Sequence, residues 1–406
     1  MTASRPVLAN NSALLCGSPE LRALFPAVAE TTYLSICDKM ILADPIRQGV
    51  DRFLDHLTHA STNRVGHEEK VTSSRRLFAE MVGATPDEIA VTRNVSDGLN
   101  SVATAFPFAE GDNVLLALGA EHPNNIYPWL HQQRRGIELR NVRGVAGRID
   151  VDAMIAAMDS RTRLVSVASV SFAPGERTDI TALGTECRKR GIFLLVDGVQ
   201  SAGILHHDFS NEPIDGFATS TSKGLLGLYG YGFLYVKRNW LDRLMPVHMS
   251  RTGADAENDD ASAMGTYDYR PRPDAGRFEL GSYNLAGAYA AEASLTMLLE
   301  LGTRAIEAHV LELADELRDG LNRLGLPVFA PRLPSHVITL GEVDAGGHGY
   351  SADPRMTRCH EVLTEAGVVS TLRRGQLRMG LHCYNNRSDI DTVLEVLQDA
   401  RRIAGH

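Results

Sequence analysis

The chain has 406 residues, 44% of them hydrophobic and 22% charged, with a net charge of −9. It is long enough for two packed domains and ordinary in its globular mixture. Its 41 Lys and Arg residues are scattered rather than gathered into a basic stripe, which excludes a reader of phosphate backbones and leaves nucleic acid an unexpected partner. No stretch reaches the roughly 20 apolar residues of a membrane span. Residues 12–26 are interrupted by Gly17, Ser18, Pro19 and Arg22 and do not read as a signal peptide. The cysteines Cys16, Cys37, Cys187, Cys359 and Cys383 form no C-x-x-C pair. Neither a metal site nor a disulfide framework is expected, and a reducing cytoplasm fits best.

Taken in chain order, short apolar runs at 88–91, 113–118, 163–170, 192–196, 216–220 and 232–236 read as strands. Helical patterns intervene, for example 97–105 and 179–190. This alternation predicts an α/β protein whose mainly parallel sheet is covered on both faces. Residues 250–277 are rich in Asp, Gly and Pro and read as an excursion or flexible loop. Residues 285–324 read as one long helix or a broken pair. A second α/β pattern follows: strand 336–340, helix 355–366, strands near 367–371 and at 377–382, and a last helix from Asp389. The expected organisation is an N-terminal segment (1–30), a large domain (31–284), and a connecting helix with a smaller C-terminal domain (285–406).

In open α/β sheets the chemistry lies beyond the carboxyl ends of the strands. Asp197 directly follows one apolar run, and a carboxylate leaving a buried strand needs a partner. Lys223 lies 26 positions later, among small residues, where a desolvated amine is suited to Schiff-base chemistry. Ser220, Thr221 and Ser222 offer hydroxyls for a phosphate. Ser96 sits at a turn into a helix, where free N–H groups bind phosphate, and His122 follows the 113–118 run. Each residue alone has a plainer reading: Asp197, Ser96 or Asp97 as a helix cap, Lys223 as a solvated loop lysine, His122 as a structural histidine.

Together, from about residue 31 to the C-terminus, these segments resemble the class V aminotransferase family of fold-type I pyridoxal-phosphate enzymes, which includes cysteine desulfurases and isopenicillin N epimerase-like proteins. The match is densest across 165–237. The resemblance implies pyridoxal 5′-phosphate as cofactor, bound as a Schiff base by Lys223, which also shuttles the α-proton of an amino acid substrate. Asp197 is then expected to pair with the pyridinium nitrogen, Gln200 to bond the phenolic oxygen and His122 to stack on the ring. Ser96, the Val95 backbone, Ser220 and Ser222 are expected to hold the phosphate. Ser282, in 277–287, matches the hydroxyl given to the neighbouring subunit, implying a homodimer with shared active sites. Arg378 matches the clamp on the substrate carboxylate.

The chain departs from the family in three places. The family's Ser-x-His-Lys reads Ser220-Thr221-Ser222-Lys223. Phe172 stands where an asparagine is common. The stretch 368–378, where a desulfurase carries its nucleophilic cysteine, has none; Cys359 and Cys383 read as buried apolar residues. Arg373 and Arg374 occupy that stretch, either to recognise an acidic group on the substrate or as a solvated surface pair. Segments 33–50 (with Cys37, Asp38 and Lys39) and 63–70 are candidate pocket walls. The expected reaction is of lyase or epimerase type at the α-carbon. An aminotransferase is the alternative, and a non-catalytic binding protein of the same fold the further one.

Overall fold

A computed structural model describes residues 14–60, 64–255 and 269–403. Residue 63 of the candidate segment 63–70 and residues 256–268 of the expected excursion lie outside them.

Seven strands form the large sheet: β1 (Ile89–Thr92), β2 (Asn113–Leu116), β3 (Glu138–Asn141), β4 (Thr162–Ala168), β5 (Phe193–Asp197), β6 (Gly216–Ser220) and β7 (Gly232–Val236). Their spatial order is β1-β7-β6-β5-β4-β2-β3, with β7 antiparallel to its neighbours and the other pairings parallel. The inner strands are buried throughout, so they read as unbroken apolar runs rather than alternating ones. Strand β3 was not expected. It is an edge strand of largely polar composition and partial exposure, which leaves no apolar signal.

Helices cover the sheet. The helix Val95–Ala105 begins two residues before the expected start, because Asn94, rather than Ser96 or Asp97, is its N-cap and accepts from the Asp97 N–H at 3.0 Å. It packs so closely on the sheet that a Cβ at Gly98 would lie 2.9 Å from that of Ala218. The helix Ile180–Arg190 is capped by Asp179 and ends at Gly191, φ 66°. On the face opposite Val95–Ala105, which Ile180–Arg190 also covers, Phe78 of the helix Arg64–Val82 stacks on Phe233 at 4.3 Å between centroids. The pattern over 285–324 resolves into Leu285–Leu301 and Thr303–Arg323, broken at Gly302.

A smaller antiparallel sheet holds β8 (Val337–Leu340), β9 (Thr371–Arg373) and β10 (Gln376–Gly380), in the order β8-β10-β9. The helices Pro354–Glu365 and Arg387–Ile403 accompany it. Thr32 and Tyr33 pair in parallel with Val368 and Val369, and Ser35 bridges to Gly380. The chain therefore enters along the small sheet before it builds the large one. Segment 35–40 is thereby carried past the carboxyl ends of the large-sheet strands, where Met40 N–H bonds the Ser222 carbonyl at 3.0 Å. No helix among the described residues is long and apolar enough to cross a membrane.

Candidate active site

Beyond the carboxyl ends of β4, β5 and β6 lies a cavity of about 270 Å³, just below the usual range for ligand sites, roughly 300–1,000 Å³. Its walls bring together Val95, Ser96, His122, Asp197, Gln200, Ser220, Ser222 and Lys223. These eight lie between positions 95 and 223, and the strand order collects them at one place.

Lys223 follows β6, and its amine makes no hydrogen bond or ion pair among the described residues. Burial, followed by the nearby Arg378 charge, lowers its pKa to about 8. A substantial fraction is then the neutral amine, the form that attacks a carbonyl. Asp197 ends β5, and burial lifts its pKa to about 6 against the pull of the Val199 N–H and Lys223. Among the described residues its carboxylate accepts one hydrogen bond, from Val199 N–H at 3.0 Å. A buried acid with so little satisfaction calls for a further donor from a ligand.

The cavity also gathers groups suited to an anion. Val95 and Ser96 are the first two helical residues, whose N–H groups have no acceptor within the helix. The hydroxyls of Ser220 and Ser222 lie 2.9 Å apart on the cavity wall. Asn94 and Gly230 also line it. A cation-seeking acid, an anion cradle and an unpaired amine on the walls of one cavity fit pyridoxal 5′-phosphate.

His122 stands edge-on to Phe172, with ring centroids 5.3 Å apart, and its Nδ1 accepts from the Asn124 N–H. Burial and then the charges of Lys223, Arg378 and Arg373 hold its pKa at about 4, so the ring is neutral. Gln200 lines the cavity and donates its amide to the Cys37 carbonyl at 3.1 Å.

Arg378, on β10, is buried, and its guanidinium bonds the Phe172 carbonyl at 2.7 Å and Thr371 Oγ1 at 3.3 Å. It has no carboxylate partner among the described residues. Removal from water is the main force on it, lowering its pKa. Such a buried, unpaired guanidinium is a fitting receptor for a carboxylate. Arg373 and Arg374 differ, because each already holds an acid: Arg373 bonds Asp38 at 2.6 Å, and Arg374 bonds Asp344 at 2.7 Å and the Gly119 carbonyl. Ser282 is not brought to this cavity. It is exposed, at φ 47°, beside a neighbouring depression that shares Asn94 and Gly230 with the site.

Glu121 escaped the sequence reading. It is 3% exposed beneath the site, accepting from the Ala168 N–H and the Asn125 amide, each at 2.9 Å. Ala168 is the cross-strand neighbour of Asp197, and burial lifts the Glu121 pKa to about 8. Glu121 thus ties the His122 turn to the strand pair that presents Asp197.

The family model for Aminotransferase class-V matches residues 53–393. A relative named "Uncharacterized aminotransferase YcbU", from Bacillus subtilis, is 28% identical over 93% of this chain and 96% of its own. Among solved structures, a cysteine desulfurase from Thermococcus onnurineus NA1 superposes with a TM-score of 0.83 at 23% identity, covering 97% of this chain and 100% of that one. The cystine C–S lyase C-DES, solved with glycine covalently linked to its PLP cofactor, gives 0.82 at 21% identity over 93% and 99% of the two chains. The two structures establish the likeness of fold. The family match, spanning most of the chain around a cavity with these donors, establishes more: the protein belongs to the class V aminotransferase family of PLP-dependent enzymes, and its cofactor is pyridoxal 5′-phosphate.

Proposed function

We propose that this enzyme works at the α-carbon of an amino acid in a lyase- or epimerase-type reaction that uses no desulfurase cysteine. The observation that carries this reading is the turn between β9 and β10. It consists of Arg374 and Gly375, at φ 52° and 82°, and neither it nor the flanking strands contains a cysteine. A two-residue turn has no room for a mobile nucleophile-bearing loop. Cys37, Cys359 and Cys383 are buried, and burial raises each thiol pKa, which disfavours the reactive thiolate.

Bound pyridoxal 5′-phosphate supplies an electron sink that acidifies the Cα–H bond. Lys223 holds it and, once released, moves the Cα proton as a base through Nζ. Asp197 holds the ring nitrogen's proton, and neutral His122 covers the ring face and excludes water. Gln200 orients the phenolic edge. Val95, Ser96, Ser220 and Ser222 anchor the phosphate, while Arg378 orients the substrate by its α-carboxylate. The exposed Ser282 supports a homodimer in which it serves the partner's phosphate, and the free cysteines support a reducing, cytoplasmic setting.

The test is to incubate the holoenzyme with a panel of amino acids in D₂O. Deuterium should enter at Cα, with racemised or eliminated product and no build-up of the amine form of the cofactor. Build-up of that form would move the assignment to the aminotransferase reading, which the B. subtilis relative's name favours. Formation of alanine from cysteine, with the sulfur passed to an acceptor thiol as its persulfide, would move it to a desulfurase.

A further inference from the structure

Close to the site stands an ion pair that the expected cofactor chemistry does not use. Asp38 and Arg373 meet at 2.6 Å, with side-chain exposures of 39% and 16%. They come from segments 335 positions apart, the turn after Ser35 and the strand β9. Both are held in position. Asp38 N–H bonds the Ser35 carbonyl, Tyr33 Oη bonds the Lys39 carbonyl, and the flanking Cys37 and Met40 are fastened to Gln200 and Ser222 of the cavity wall. Arg373 also donates to the Leu372 carbonyl at 3.0 Å. Its strand pairs with the one that carries Arg378, and the Arg378 Nε–Thr371 Oγ1 bond couples the two.

Asp38 is close enough to Lys223 and Arg378 to stabilise both their charges, and Arg373 is close enough to His122 and Arg378 to oppose theirs. The pair therefore lies within electrostatic reach of the groups expected to hold the substrate, on a segment tied to the cavity wall at Gln200 and Ser222, given that the site accepts α-amino acids as proposed above. Of the two arginines reaching that region, Arg378 is free to take a carboxylate and Arg373 is not.

We propose that Asp38 is a specificity-determining residue: by occupying Arg373 it acts as an internal competitor that excludes amino acids with a carboxylate side chain. A second substrate carboxylate could reach Arg373 only by displacing Asp38 or by crowding in beside it, and either way two like charges stand together in a half-buried space. A cationic side chain gains little, because Asp38 is already neutralised and Lys223, Arg378 and Arg373 surround it. The favoured substrate class is a monocarboxylic amino acid with an uncharged side chain.

The experiment compares equilibrium binding of L-aspartate with L-asparagine, and of L-glutamate with L-glutamine, to the holoenzyme, read from the change in cofactor absorbance. Wild type should bind the amides more tightly. Asp38→Asn should move the acid-to-amide ratio of Kd values toward the acids by roughly ten-fold or more, the worth of a hydrogen-bonded charge gained. The double variant D38N/R373Q should lose that gain. Asp38→Ser, read in the same way, covers a failure peculiar to the introduced amide. An unchanged ratio in both single variants, or tighter binding of the acids by wild type, would overturn the proposal. A wild-type cofactor band that no amino acid perturbs would instead remove the α-carbon reading, and this inference with it.

Discussion

Lys223 lies within electrostatic reach of Arg378, and neither cation has an ion-pair partner among the described residues. Two unpaired cations within electrostatic reach repel each other, and the lysine, the weaker of the two in holding its proton, yields. The arginine that prepares the site for a carboxylate therefore also prepares the amine for attack.

This coupling predicts a pH profile. The rate at which apoprotein recombines with pyridoxal 5′-phosphate should follow the neutral amine, rising as pH climbs through about 8 and levelling above it. Arg378→Met removes the largest charge that depresses Lys223, so the midpoint should move up toward the ordinary lysine value. Burial remains, so it should not reach it. Stopped-flow absorbance at a series of pH values measures both midpoints. Equal midpoints in the two proteins would disprove the coupling.

Asp197 makes a second prediction. With its pKa at about 6 it is ionised at neutral pH in a fully buried position. Asp197→Asn keeps the shape and the hydrogen bond from Val199 N–H but cannot hold a positive ring. Deuterium exchange at Cα should slow by roughly 10²-fold or more, the usual cost of losing one preorganised electrostatic contact. Far-UV circular dichroism should stay unchanged. Exchange at the wild-type rate would remove Asp197 from its proposed role.

The sheet and much of this cavity were legible because buried parallel strands leave continuous apolar runs, and the reactive residues stand where those runs stop. Asp197 and Lys223 were found that way. Glu121 was not, since one acid among 50 Asp and Glu residues carries no pattern; its importance comes from the Ala168 N–H it meets in space. The Arg373–Asp38 pair was half legible. Both segments read as pocket candidates, but a contact across 335 positions is a property of the fold. Strand β3 and the Asn94 cap were missed for local reasons, an exposed polar edge in one case and a competing choice of capping residue in the other.

Acid stability should be set partly by two histidines that flank the smaller sheet. His382 and His336 are fully buried, and burial first of all holds their pKa values at about 4 and about 3. His382 is fixed as a neutral tautomer, Nε2–H donating to the Gly224 carbonyl and Nδ1 accepting from the Cys383 N–H. Below an unfolded value near 6.5 the unfolded chain binds protons that the folded one refuses. The stability this confers is present above that pH and is lost as pH falls toward 4, by up to about 3 kcal/mol for His382. Urea unfolding of apoprotein at pH 7 and pH 4.5 should show the loss, and His382→Gln should show a smaller difference between the two. An equal difference would mean that carboxylates, not this histidine, govern the acid limb.

The turn that carries no cysteine also positions Arg378, and Gly375 makes that turn possible. Its φ is 82°, and a Cβ there would lie 2.3 Å from the Ala345 carbonyl carbon and 2.5 Å from the Gly346 nitrogen, backbone atoms that cannot swing aside. Gly349 has the same φ of 82° but nothing within 4 Å of its Cβ position. Gly349→Ala should therefore cost only the left-handed backbone penalty, about 1–2 kcal/mol. Gly375→Ala adds a collision that must displace the β9–β10 hairpin. Arg373 and Arg378 move with that hairpin, whereas Lys223 and Asp197 sit on the large sheet. The expected result is a raised KM with the cofactor absorbance retained in Gly375→Ala, and a near-normal KM in Gly349→Ala, each read alongside its melting temperature. If both variants raised KM equally, general loosening around the smaller sheet would account for the effect, and the hairpin would lose its claim to orient the substrate.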